Sequence, residues 1–147
     1  VTKGSLLAIL REFFEGEAEN LGVMEAFLFG SWAKDRARPD SDIDIAVLFE
    51  DEGLSDDEMF DRLDFLTMRL GETLPSDVTV IPLYRDFRRP ALYYNAIVKG
   101  IPVYVKDPME HARLVNDALY HMEDFEMFGT QWQLAIARQN LEGLRNG

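Results

Sequence analysis

The chain has 147 residues, no cysteine, and 27 acidic against 15 basic side chains, a formal charge of −12. That length is one domain's worth, and 47% hydrophobic with 12% aromatic residues is enough apolar material for a core. So acidic a chain repels bulk RNA, DNA and an anionic membrane, and the missing cysteines exclude disulfides, thiolate metal sites and a cysteine nucleophile. The first residues turn charged after Leu10, unlike a secretory signal, and no stretch approaches the roughly 18 consecutive apolar residues of a membrane span.

From Ser5, the residues Leu6, Leu7, Ile9, Leu10, Phe13 and Phe14 recur at three- and four-residue steps, which predicts a helix ending between Gly16 and Gly22. Val23 to Phe29 is short, apolar and bounded by glycines, the pattern of a buried strand. Trp32 to Ala37 is expected to make a short helix, and Asp40-Ser41 the turn into a second strand. That strand, Asp42 to Phe49, alternates strictly. Asp42, Asp44, Ala46 and Leu48 share one face, and Ile43, Ile45, Val47 and Phe49 the other. Ser55 to Glu58 has the capping-box pattern, starting a helix with Met59, Leu63, Leu66 and Leu70 as its apolar stripe and Pro75 just past its end. Asp77 to Leu83 reads as a third strand. Pro90 to Lys99 reads as a helix closed by Gly100 in the left-handed conformation, and Pro102 to Val105 as a fourth strand. The rest, from Pro108, is helical in composition with an expected break near Gly129. Its apolar residues, among them Leu114, Leu119, Tyr120, Met122, Phe125, Met127, Phe128 and Trp132, either close the core or form an interface. No repeat or linker divides the chain, so a single domain is expected over residues 1–147, with a core of about 5–105 and a helical extension of about 108–145.

Chemistry concentrates in Phe29-Gly30-Ser31, ten intervening residues, Asp42-Ile43-Asp44, and Asp77 at the start of a later strand. Two carboxylates two apart on a strand project from one face and repel unless something positive sits between them. Magnesium takes hard oxygen ligands and is commonly held by one or two carboxylates together with substrate phosphates. A third carboxylate from a neighbouring strand would complete a two-metal clamp. Gly30 permits close backbone approach, and N–H groups following it, with the Ser31 hydroxyl, can cradle phosphate oxygens.

With FGSWAKDRARPDSDIDIAV, DVTVIPL and NAIVKGIPVY, the sequence resembles the nucleotidyltransferase superfamily that includes DNA polymerase beta, and especially its minimal nucleotidyltransferases. The resemblance covers about residues 5–105. It implies an α/β (α+β) fold, a small mixed β-sheet flanked by helices, with the metal site where the Asp42–Asp44 strand meets the Gly30-Ser31 turn. It further implies two magnesium ions on Asp42 and Asp44, with Asp77 on the catalytic side helping to deprotonate the acceptor. Gly30 and Ser31 would hold the β and γ phosphates, and AMP from ATP would pass to a hydroxyl with release of pyrophosphate.

Lys34, Arg36 and Arg38 form a basic segment that can neutralise a triphosphate, contact a partner or simply be solvated. Asp35 stands where close relatives often carry glycine, implying a differently shaped loop and an extra negative charge facing the triphosphate; Lys99 stands where a glutamate is often found. Stand-alone members resemble the antitoxins of two-component systems whose partner is a helical HEPN ribonuclease toxin, and are thought to place AMP on a toxin tyrosine. A cytoplasmic antitoxin, assembled as a homo- or hetero-oligomer and without direct nucleic-acid or membrane binding, is therefore expected. The alternatives are nucleotidylation of a small-molecule hydroxyl such as that of an aminoglycoside, and neutralisation of the toxin by binding alone. His111 and His121 have no second ligand at metal spacing and are read as structural. Between Glu50 and Asp64, eight carboxylates face the single Arg62, either a solvated helix face or a surface for a basic partner.

Overall fold

The structure, a computed structural model, describes residues 1–146, leaving out the side chains of residues 127, 128, 130–132, 142 and 144–146. In chain order the elements are α1 (Lys3–Leu21), β1 (Val23–Phe29), β2 (Ile43–Phe49), α2 (Asp56–Thr73), β3 (Val78–Pro82), α3 (Pro90–Ile97), β4 (Ile101–Val105) and α4 (Pro108–Asn146). The strands form one mixed sheet in the order β3-β2-β1-β4, with β2 and β3 parallel and both pairs made by β1 antiparallel. The parallel pair requires a crossover, which α2 supplies. Pro82 and Pro102 both lie in edge strands, where a missing N–H is tolerated.

The two faces of β2 separate as its alternation predicts. Ile43, Ile45, Val47 and Phe49 join Leu6, Leu10, Phe13 and Phe14 of α1 and Met59, Leu66 and Leu70 of α2 in one core layer. Ala46 and Leu48, with Phe27 of β1, meet Tyr93, Ala96 and Ile97 of α3 and Leu114 and Ala118 of α4 in the other. Each such fully buried leucine or phenylalanine contributes about 1.5–3 kcal/mol. The sheet is thus covered on both faces except near the start of β2, where its second layer ends.

Local signals explain the helix ends. Thr2 caps α1 by accepting from the Ser5 amide, two residues earlier than the apolar periodicity alone suggested, and Gly22 closes it with φ 68°. Ser55 and Glu58 form the expected capping box of α2. Three expectations are corrected. Trp32 to Ala37 is not helical: residues 30–35 are turns, with Trp32 buried in the first core layer and Asp35 at φ 58°, a conformation no helix accommodates. Gly100 does not have positive φ. It is required because a Cβ there would stand 2.1 Å from the Ala96 carbonyl oxygen and 2.9 Å from that of Leu28. Finally, α4 runs through Gly129 without a break. Of its apolar residues, Leu114 is buried, whereas Leu119, Tyr120 and Phe125 are exposed; the side chains of Met127, Phe128 and Trp132 lie outside the described residues.

Candidate active site

At the open end of the sheet, β1 finishes where β2 begins. Phe29 pairs with Asp44, so the chain turns at Gly30 directly beside the Asp44 carboxylate. A Cβ on Gly30 would lie 2.2 Å from Asp44 Oδ2, and Gly30 has φ 74°. Both facts demand glycine: any side chain would displace the carboxylate, and an L-residue would carry a left-handed backbone at a cost of about 1–2 kcal/mol.

Asp42 precedes β2 and Asp44 is its second residue, so both fall on the face away from α1 and α2. Asp42 is exposed and Asp44 half-buried. Burial first, then the Asp42 charge, pushes the Asp44 carboxyl above its usual range. Two mutually repelling carboxylates, one partly desolvated, suit a hard divalent cation, which would relieve both penalties. Asp77 enters by register. Ile43 pairs with Val78 across the parallel ladder, and the Ile43 amide donates to the Asp77 carbonyl at 2.8 Å, so Asp77 precedes β3 as Asp42 precedes β2. It is exposed at the sheet edge, beside a cavity of about 420 Å³ that it lines with Thr67, Leu74 and Ser76. Among the described residues, no group of three or more His, Cys, Asp or Glu side chains is gathered closely enough to hold a metal ion. Asp77 therefore flanks the Asp42–Asp44 pair without closing a three-carboxylate cluster.

The Gly30-Ser31 turn is closed by backbone bonds from the Lys34 amide to the Gly30 carbonyl (3.2 Å) and from the Arg36 amide to the Ser31 carbonyl (2.9 Å). Ser31 is half-buried in a segment of turns, with no helix following it to cap, while the Lys34 and Arg36 side chains are exposed. Trp32 anchors the turn, its side chain buried and its Nε1 donating to the Ser41 carbonyl at 3.3 Å, so its ring is committed to the core rather than to a base. Asp35 differs from its expected role. Its backbone adopts the left-handed conformation glycine favours, and its carboxylate accepts from Lys3 Nζ at 3.1 Å, drawing it toward the start of α1.

Sequence reasoning missed Lys3, and it missed Glu25. The Glu25 side chain is fully buried in β1, its Oε1 2.6 Å from His111 Nδ1 on α4 and its Oε2 without a hydrogen-bond partner among the described residues. Burial drives its carboxyl upward against the opposing pull of His111. No sequence signal pairs residues so far apart in the chain. Arg85 and Arg88, far from the aspartates, are occupied by Glu52 and Asp86, and they line a separate cavity of about 290 Å³ past the other end of β2.

A carboxylate pair at the start of β2 thus lies beside a glycine-serine turn on a mixed α/β fold, with Asp77 at the start of the neighbouring strand. The model of the family described as Polymerase beta, Nucleotidyltransferase matches residues 11–109, and the chain belongs to that family. No curated protein matches it. Among solved structures, a toxin-antitoxin with AMP-PNP has 18% identity and a TM-score of 0.62, covering 92% of this chain and 98% of that one. The toxin-antitoxin MntA-HepT has 17% identity and a TM-score of 0.60 over 88% of this chain and 97% of that one. A tri-AMPylated Shewanella oneidensis HEPN toxin in complex with MNT antitoxin gives 17% identity and a TM-score of 0.58 over 86% and 98%. At these identities the likeness is one of fold.

Proposed function

We propose that the protein is the nucleotidyltransferase antitoxin of a HEPN ribonuclease toxin and transfers AMP from ATP to a hydroxyl of that toxin, a tyrosine in the first instance. The observation that carries this reading is the close approach of Gly30 to the Asp44 carboxylate, which sets the Gly30-Ser31 turn against the carboxylate pair. Family membership supports the reaction type, and the folds matched, among them an AMP-PNP complex and an AMPylated toxin complex, support the nucleotide and the partner.

In this reading the backbone after Gly30 and the Ser31 hydroxyl orient the β and γ phosphates, and Lys34 and Arg36 offset their charge. Asp42 and Asp44 would hold magnesium, which would supply Lewis-acid neutralisation of the phosphate charge, with Asp77 beside them on the acceptor side. The acceptor oxygen forms a bond to the α-phosphorus as the bond from that phosphorus to the bridging oxygen of the β-phosphate breaks. Pyrophosphate leaves with the bonding pair, and Asp77 takes the acceptor proton.

Incubating the purified pair with labelled ATP and Mg²⁺ tests it. Label should appear on the toxin with wild type and fall at least about a hundredfold with Asp42→Ala or Asp44→Ala. Absence of label with wild type overturns the reading. Full neutralisation of the toxin by an Asp42→Ala/Asp44→Ala variant would instead establish neutralisation by binding.

A further inference from the structure

One residue at the start of α1 and one in the turn break local rules, and a contact joins them. Lys3 opens α1, where a cation opposes the helix dipole, and no acidic residue stands in that first turn to compensate. Asp35 holds φ 58°, a left-handed backbone that only glycine adopts freely and that asparagine and aspartate tolerate. Lys3 Nζ donates both to Asp35 Oδ1 (3.1 Å) and to the Ala33 carbonyl (3.0 Å), bridging thirty positions of chain into the segment between Gly30 and Asp42. The bond to Ala33 is partly buried, and the Lys3 side chain is only 31% exposed. Locally unfavourable choices that meet in one interaction are expected where a structure holds a functional shape.

We propose that Lys3 and Asp35 are positioning residues, a clamp from the start of α1 that holds the Gly30-Ser31 turn in the shape that receives the nucleotide phosphates. The inference rests on the nucleotidyltransferase reading. Trp32 fixes the buried side of the turn and Ser41 its far end, the latter by accepting the Arg38 amide at 2.8 Å. The exposed crest, where the Lys34 and Arg36 amides close back on Gly30 and Ser31, is held from outside by Lys3. Lys3 touches no reacting atom; it acts through the carbonyl of Ala33 and the carboxylate of Asp35.

The test uses the full chain and the variants Lys3→Ala, Lys3→Arg, Asp35→Asn and Lys3→Ala/Asp35→Asn, with two readouts. Hydrogen exchange of the Lys34 and Arg36 amides reports the turn without nucleotide, and the Kd of a fluorescent N-methylanthraniloyl-ATP with Mg²⁺ reports the site. Lys3→Ala and Asp35→Asn are expected to raise exchange at those two amides and to weaken the Kd, each about two- to fivefold, with amides of β1 and β2 unmoved. Lys3→Arg should restore both readouts, and the double variant should be no worse than Lys3→Ala, because one interaction is lost only once. Unchanged exchange in both single variants overturns the clamp, and so do losses that simply add in the double variant. If wild type fails to bind the probe while exchange responds as stated, the nucleotide reading falls and the clamp stands as a shaping contact.

Discussion

Asp44, in the candidate site, works against folding. Its carboxyl is held above the ordinary range by burial and by the Asp42 charge, so without a cation the folded chain keeps a proton that the unfolded chain releases near 3.8. Below that value the penalty is absent. Between it and the raised native value the folded state binds more protons than the unfolded one, so stability falls as pH rises through that window and levels off above it. Asparagine cannot ionise. The cation-free Asp44→Asn variant is therefore expected to match wild type near pH 3.8 and to be the more stable of the two at pH 7, with a gap in melting temperature that widens over the interval. Adding Mg²⁺ should raise the melting temperature of wild type and leave the variant unmoved.

At the scale of elements, one side-chain bond ties β1 to α4. Glu25 lies fully buried in β1, and its side-chain partner among the described residues is His111 on α4, which also stacks on Phe27 with ring centroids 5.9 Å apart. Removing the imidazole leaves a buried carboxyl with neither oxygen paired, so His111→Ala is expected to cost about 2–3 kcal/mol in urea unfolding at pH 7. Glu25→Gln in the same background should recover part of that loss, since a neutral amide is cheaper to bury. The same packing explains why the segment after Gly30 is a turn. Helix periodicity there loses to Trp32, whose ring completes the core beneath α1, and to the return of the chain into β2 at Asp42.

For the whole molecule the charge of −12 is unevenly spent. In the Glu50 to Asp64 block, Glu50 pairs with Lys106, Asp51 with Arg62 and Glu52 with Arg85. Asp56, Asp57 and Glu58 form the acidic first turn of α2, where they suit the helix dipole. Asp61 and Asp64 are left exposed beside Phe60 and Phe65, an acidic and apolar strip. Long-range attraction to a basic toxin should then be strong at low salt. Stopped-flow association of the proposed pair is expected to slow about tenfold or more between 20 and 500 mM NaCl, with dissociation far less affected. A flat salt profile would remove electrostatic steering from the account.

The amino-acid sequence determined the strand alternation of β2, the capping box at Ser55, the Gly30-Ser31 turn with its two aspartates, and the family they define. These signals are local: a period of two, a three-residue reach, a fixed spacing. Only the tertiary structure decided that Gly30 lies against Asp44, that Asp77 flanks the pair without joining it, that Gly100 is needed for space rather than for a left-handed turn, and that α4 continues past Gly129. The same holds for Lys3 on Asp35 and Glu25 on His111. Each depends on how close distant segments come when the core packs, and no periodicity along the chain encodes that distance.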